Sequence, residues 1–192
     1  MDLLTKEAEV KKVILHSERW DIIASSSALA VADMSISGKG KEYRLRSALE
    51  PIREKYDFII IDTPPALGIL LTNALTASTK VIIPAQADRY SLKSIAQLNV
   101  TIEAVKKFSN ASLIVQGIIL TRYNGRSILS RDFLEVIEQA AQKMNTKVFK
   151  TKIREAIAVK ESQARREDIF SYAPKSNAAR DYDAFIDELL RG

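Results

Sequence analysis

Tyr56-Asp57-Phe58-Ile59-Ile60-Ile61-Asp62-Thr63-Pro64-Pro65 is the stretch on which the fold turns. Four consecutive apolar residues, three of them β-branched, stand between two acids. A continuous run of this kind suits a strand buried on both faces of a parallel sheet rather than an alternating half-exposed strand. Pro64 and Pro65 forbid a helix from starting at once and stiffen the turn that follows. The reading is therefore a buried strand over 58–61 that delivers the Asp62 carboxylate to the edge of a sheet.

Outward from this run, the same grammar repeats. Lys80-Val81-Ile82-Ile83-Pro84 and Ser112 to Leu120 are further apolar runs, and Trp20 to Ala24 and Lys147 to Lys150 are weaker ones. Between them lie helical stripes: Leu92, Ile95, Leu98, Ile102 and Val105 with Ser91 as cap; Phe133, Val136, Ile137, Ala140 and Ala141; and Ala178, Tyr182, Phe185, Ile186 and Leu189 with Asn177 as cap. Strands alternating with helices predict βαβ units with right-handed crossovers: an α/β, doubly wound, mostly parallel sheet. Ligands of such sheets bind at the carboxyl ends of the strands. A strand ending in an acid, as at Asp62, is the Walker B form, in which the carboxylate holds Mg²⁺ beside nucleotide phosphates. The commoner role of a strand-end Asp is to cap the next helix.

Composition narrows the chemistry. The 192 residues include no cysteine and one histidine, His16, which excludes disulfides, thiolate metal sites, cysteine nucleophiles and two-histidine mechanisms. No apolar run reaches the roughly 18 residues of a membrane helix, and a cytoplasmic location is expected. Trp20 reads as a core or edge anchor and His16 as a surface or packing residue. The net charge of +5 is concentrated: eight of the chain's Lys and Arg fall in residues 143–166 against only Glu155 and Glu161. A basic block on a near-neutral body is the electrostatic footprint of a nucleic-acid surface, and equally that of a solvated helix face.

The run Tyr56 to Leu75, YDFIIIDTPPALGILLTNAL, resembles the Walker B region of ParA-type partition ATPases of the ParA/MinD group. The resemblance extends from about residue 20 to 190. It takes in Asp21 to Ser26, Leu29, Glu42 to Leu45, Val81 to Ala87 with Ser91-Leu92, Gly117 to Thr121 with Arg126, Val148 to Thr151, Glu161, and Ala173 to Ser176 with Asp181-Tyr182. It implies a P-loop NTPase-like fold, ATP and Mg²⁺ as cofactors, Asp62 as the metal-side carboxylate, and Thr121 and Arg122 beside the adenine. It also implies ATP-dependent dimerisation, sequence-independent binding to duplex DNA, a ParB-like partner protein and a place on the nucleoid. Arg126 matches a DNA-contacting arginine of the family. A second such arginine falls at Ala158, so Lys152, Arg154, Lys160, Arg165 and Arg166 are the remaining DNA-binding candidates.

One departure is as informative as the match. The family's P-loop wraps phosphates with glycine N–H groups and a lysine. Of the six glycines here, only those in Ser37-Gly38-Lys39-Gly40-Lys41 adjoin lysines, and no apolar strand precedes them. The expectation is a single ParA-like domain over 1–192, truncated at its N-terminus, with no catalytic residue of its own and with the 58–61 strand short of a neighbour. Two roles follow: partition of plasmid or chromosomal DNA, or an ATPase-inactive regulator binding DNA or a partner. A MinD-like membrane role is disfavoured, because the last helix carries Asp181, Asp183, Asp187 and Glu188, which an anionic bilayer repels.

Overall fold

A computed structural model describes residues 2–191, apart from the side chain of Asp33. It separates into two compact units, Met1–Thr79 with Val100–Ile114, and Lys80–Asn99 with Val115–Gly192.

In the first unit, β1 (Ile14–His16) and β2 (Asp21–Ile23) form an antiparallel hairpin with Leu15 opposite Ile22. Its turn end is tied by His16 Nδ1 at 2.8 Å from Asp21 Oδ1, and the Tyr56 hydroxyl donates to the other oxygen of Asp21. Those two hydrogen bonds, Tyr56 first, hold the Asp21 carboxyl below the usual aspartate range. Helices α1 (Arg44–Leu49) and α2 (Ile69–Ala77) pack on two small cores, Leu4, Ala32 and Ile36, and Val10, Leu49 and Ile52. Two buried amides pin the loops to these helices. Asn73 Nδ2 donates to Lys41 O and Ile69 O while its Oδ1 accepts from Leu45 N. Asn110 Nδ2 donates to Leu75 O and Ser78 O. Each satisfies carbonyls or amides that burial would otherwise orphan.

The decisive stretch behaves differently from its reading. Residues 57–64 run without regular structure, and among the described residues no backbone hydrogen bond joins 58–63 to anything. Ile61 packs on the Val10–Leu49–Ile52 core, while Phe58 is 71% and Ile60 92% exposed. The expected buried strand is thus an irregular, unpaired segment: its apolar pattern is strand-like, but among the described residues no neighbouring strand completes a ladder. Trp20 is also not a core residue, standing 62% exposed on the hairpin.

The second unit holds β3 (Lys80–Ala85), β4 (Ile114–Tyr123) and β5 (Val148–Arg154), in the spatial order β3-β4-β5 with β4 and β5 parallel. Helix α3 (Arg89–Phe108) follows β3, with its first half in this unit. Its cap is Asp88, whose Oδ1 accepts from Ser91 N at 2.7 Å, while Ser91 Oγ accepts from Gln86 N; the predicted cap lies three residues inside the turn. Helix α4 (Ile128–Lys143) starts at Ser127, whose side chain accepts from Ser130 N. Helices α5 (Ile157–Arg165) and α6 (Asn177–Arg191) follow, and Ser176 rather than Asn177 caps α6 through Ala179 N. The core is Ile119, Phe149 and Ile153 under Ile82, Tyr182, Phe185 and Leu189, with the Phe149 and Phe185 rings edge to face at 5.0 Å. Gly117 permits this packing: a Cβ there would lie 2.5 Å from Phe149 Cε2. Glu188 of α6 accepts from the amides of Lys150 and Thr151, closing off backbone donors on the outer strand β5.

Candidate functional site

The carboxyl ends of β4 and β5 gather most of the residues that the sequence singles out in the second unit. Leu120 is fully buried, and its neighbour Thr121 turns Oγ1 back to Ala85 O at 3.3 Å, locking the end of β4 to the end of β3. β4 then bulges. Leu120 pairs with Lys152 and Tyr123 with Arg154, so β4 uses one residue more than β5. Arg122 sits in the bulge at φ 50°, a left-handed conformation that costs a side-chain-bearing residue free energy and is held by its surroundings. Its guanidinium donates to Glu155 Oε1 at 3.0 Å, and Lys160 Nζ approaches the same oxygen at 3.9 Å. Glu155, just past β5, therefore gathers two cations on half-exposed side chains, where each pair adds little stability but fixes position.

Past the bulge, Asn124 Oδ1 accepts from Arg126 N, and this turn leads into the Ser127 cap of α4 with the Arg126 side chain in solvent. Lys152 Nζ lies 5.7 Å from the Tyr123 ring centroid, and Arg165 stacks over Tyr172 at 5.2 Å. Arg166 ends α5 in the left-handed conformation at φ 58°. Arg154 is engaged otherwise. Its Nε and Nη2 donate to the two oxygens of Asp181 at 2.8 and 2.6 Å, and its backbone N donates to the same carboxylate. Burial pushes the Asp181 carboxyl up, but the Arg154 side-chain and backbone hydrogen bonds outweigh it and hold Asp181 below the usual range. This fork ties β5 to α6 and gives Arg154 a structural assignment. Sequence reading could not find Asp181 as its partner: the two are separated by 27 positions on different elements.

All six DNA-binding candidates, Arg126, Lys152, Arg154, Lys160, Arg165 and Arg166, lie in the second unit together with Thr121 and Arg122. That unit holds 17 Lys and Arg against 12 Asp and Glu, the whole excess of the chain, while the first unit carries twelve of each. Asp62 lies in the first unit, exposed, at the end of the unpaired segment. Among the described residues no cluster of His, Cys, Asp and Glu forms a metal site.

The residues present do not fit a nucleoside triphosphate. A phosphate cradle needs glycines whose backbone amides converge ahead of a helix N-terminus. Among the described residues, Gly38 and Gly40 are the glycines at positive φ, and they lead into Lys41–Tyr43, a single 3₁₀ turn. Asp62 has no such loop beside it in its own unit to present phosphates.

The family described as AAA domain matches residues 1–115. The chain is 36% identical over 184 residues to the sporulation initiation inhibitor protein Soj of Bacillus subtilis, covering 94% of this chain and 72% of Soj. It is 33% identical over 171 residues to the chromosome partitioning protein ParA of Myxococcus xanthus, covering 88% of this chain and 59% of that protein. Among solved structures, cobyrinic acid a,c-diamide synthase from Mycobacterium smegmatis with bound ADP and magnesium superposes with a TM-score of 0.81 at 28% identity, over 99% of this chain and 70% of the synthase. The chain thus spans between 59% and 72% of the lengths of these proteins. Its α/β architecture is the P-loop NTPase-like one expected from the sequence, and no helix among the described residues is long and apolar enough to cross a membrane. On the combined ground of sequence, fold and relatives, the chain belongs to the ParA-type ATPase family.

Proposed function

We propose that this chain acts in the partition of plasmid or chromosomal DNA, binding duplex DNA without sequence preference through its second unit. The observation that carries this reading is the segregation of charge: the entire net charge of +5 resides in that unit, and Arg126, Lys152, Lys160, Arg165 and Arg166 keep their charged ends accessible or only lightly paired. Arg154 drops out of the contact set, because Asp181 already neutralises it. Phosphate neutralisation releases counterions, so log K falls with log salt by about 0.9 per contact; four contacts give a slope of about −3.6. Names such as Soj and ParA among the relatives support the partition role, and a ParB-like protein, homodimerisation and a nucleoid location accompany it in this proposal.

The test is fluorescence anisotropy of a labelled duplex titrated with the full chain at several salt concentrations. Arg126→Ala with Lys160→Ala should flatten the slope by about two units and weaken all sequences alike. Unchanged affinity and slope in the double variant, or strong preference for one sequence, would remove the reading, since phosphate contacts carry no base information.

The glycine geometry favours a second reading within the same role. The chain acts as an ATPase-inactive regulator, holding DNA or a partner protein without turning over nucleotide. Phosphoryl transfer is almost entirely positioning and electrostatic stabilisation of phosphates, and the loop that supplies both is missing from the 192 residues.

A further inference from the structure

We infer that Asn124 is a modification site: its side-chain amide is displaced by the Gly125 nitrogen, and the carboxylate left behind weakens the basic face at Arg126, a consequence that rests on the DNA-binding role proposed above. Asn124-Gly125 is the one Asn-Gly pair in the chain; the other five asparagines, at 73, 99, 110, 145 and 177, precede residues that carry a side chain. Glycine leaves its nitrogen unshielded and its backbone free to close a ring. The pair is exposed in the turn between β4 and α4. Asn124 Oδ1 accepts from Arg126 N at 3.1 Å, while Asn124 O accepts from Ser127 N. The first of these bonds curls the side chain back along the turn and brings its amide carbon toward the nitrogen of the intervening Gly125. It also polarises the side-chain carbonyl and remains in place as negative charge develops on Oδ1. Among the described residues the Gly125 amide donates to no backbone acceptor. The fold does not itself require this glycine. Its φ is not positive, and a Cβ there would lie 3.4 Å from Tyr123 Cε1, an ordinary contact. By contrast, the Asn73 and Asn110 amides are buried, and each donates two hydrogen bonds to backbone carbonyls.

The chemistry balances with water alone. The Gly125 nitrogen gives its proton to solvent base and bonds to Asn124 Cγ. The bond from Cγ to the side-chain nitrogen breaks, ammonia leaves, and a cyclic imide remains. Water then opens the ring at either carbonyl. One opening gives aspartate, the other isoaspartate, in which the main chain runs through the former side chain. Both products place a carboxylate two residues from Arg126, whose side chain stands in solvent. An anion there repels phosphates and offsets one cation of the basic face.

The experiment ages the full chain at mildly alkaline pH. Trypsin then releases Tyr123–Arg126, mass spectrometry follows the exchange of NH₂ for OH, and enzymatic methylation counts isoaspartate; a fresh sample digested alongside subtracts conversion during handling. Asn124 should convert while the other five asparagines stay intact. Gly125→Ala, whose methyl group the turn accommodates, should slow conversion about tenfold or more, a barrier higher by at least about 1.4 kcal/mol. The native chain should convert no more slowly than the free peptide TRYNGRS. Absence of conversion, an equal rate in Gly125→Ala, or a native rate far below that of the peptide overturns the site, whether or not DNA binds. Anisotropy on a labelled duplex tests the consequence. The aged parent and fresh Asn124→Asp should both show a salt slope about one unit flatter than the fresh parent, and aged Gly125→Ala should not. An unchanged slope in the aged, converted chain overturns the effect on binding. A fresh parent that fails to bind DNA overturns the proposed role and this consequence together, and the peptide map alone then decides the site.

Discussion

Gly117→Ala should destabilise the protein through one ring. Added methyl groups in strands ordinarily help, because alanine loses less backbone entropy than glycine, by about 0.4–1 kcal/mol. Here the new Cβ would meet Phe149 at 2.5 Å from Cε2, 2.9 Å from Cδ2 and 3.0 Å from Cζ. Ordinary carbon contacts begin near 3.4 Å, so the ring must retreat by almost 1 Å. It has nowhere to go. Phe149 is 1% exposed and belongs to β5, with the edge-on Phe185 ring at 5.0 Å and Ile119 and Ile153 packed around it. Forcing volume into such a core costs about 1–3 kcal/mol, which outweighs the entropic gain. For a chain of this size that corresponds to a melting temperature lowered by about 2–12 °C. Urea unfolding should be followed by far-UV circular dichroism, because the single tryptophan, Trp20, lies in the first unit and would report on that unit alone. Phe149→Leu removes the obstructing ring. In that background Gly117→Ala should be neutral or stabilising, giving a coupling energy of about 1–3 kcal/mol between the two sites. A neutral Gly117→Ala in the parent chain, or the same cost in both backgrounds, would refute the reasoning.

Further outcomes are expected. Asp181→Asn should lower stability at neutral pH by about 1 kcal/mol, since it weakens a charged fork of three hydrogen bonds. The Asp181 pKa is lowered in the fold, so its stabilisation is present above the ordinary aspartate value of 3.8 and lost as pH falls through the depressed one; the variant's acid limb should flatten in that window. Asn73→Ala should cost about 1–2 kcal/mol, because it leaves the partly buried Leu45 amide without its acceptor, and hydrogen exchange at that amide should accelerate more than the change in global stability predicts. Steady-state ATP hydrolysis by the 192-residue chain should not exceed background; turnover abolished by Asp62→Ala would contradict the glycine argument.

Much of the architecture was legible in the residues alone. The three sheet strands of the second unit and its long helices follow from apolar runs and helical stripes, and they lie within a few residues of where periodicity sets them. A helix closes its hydrogen bonds within itself, so its stripe is nearly sufficient. The family was legible too, because YDFIIIDTPP and the motifs after it occur in order along one chain. What only tertiary structure decided were properties that need a partner distant in sequence. Phe58–Ile61 has a strand's pattern, yet a strand exists only when another strand meets its edge, and none among the described residues does. Arg154 looked like its basic neighbours until Asp181 of α6 folded onto it, and Arg122 became special only through the bulge that β4 adopts against β5. Charge and apolarity are written residue by residue, whereas pairing, register and burial are relations between residues, and the chain acquires them by folding.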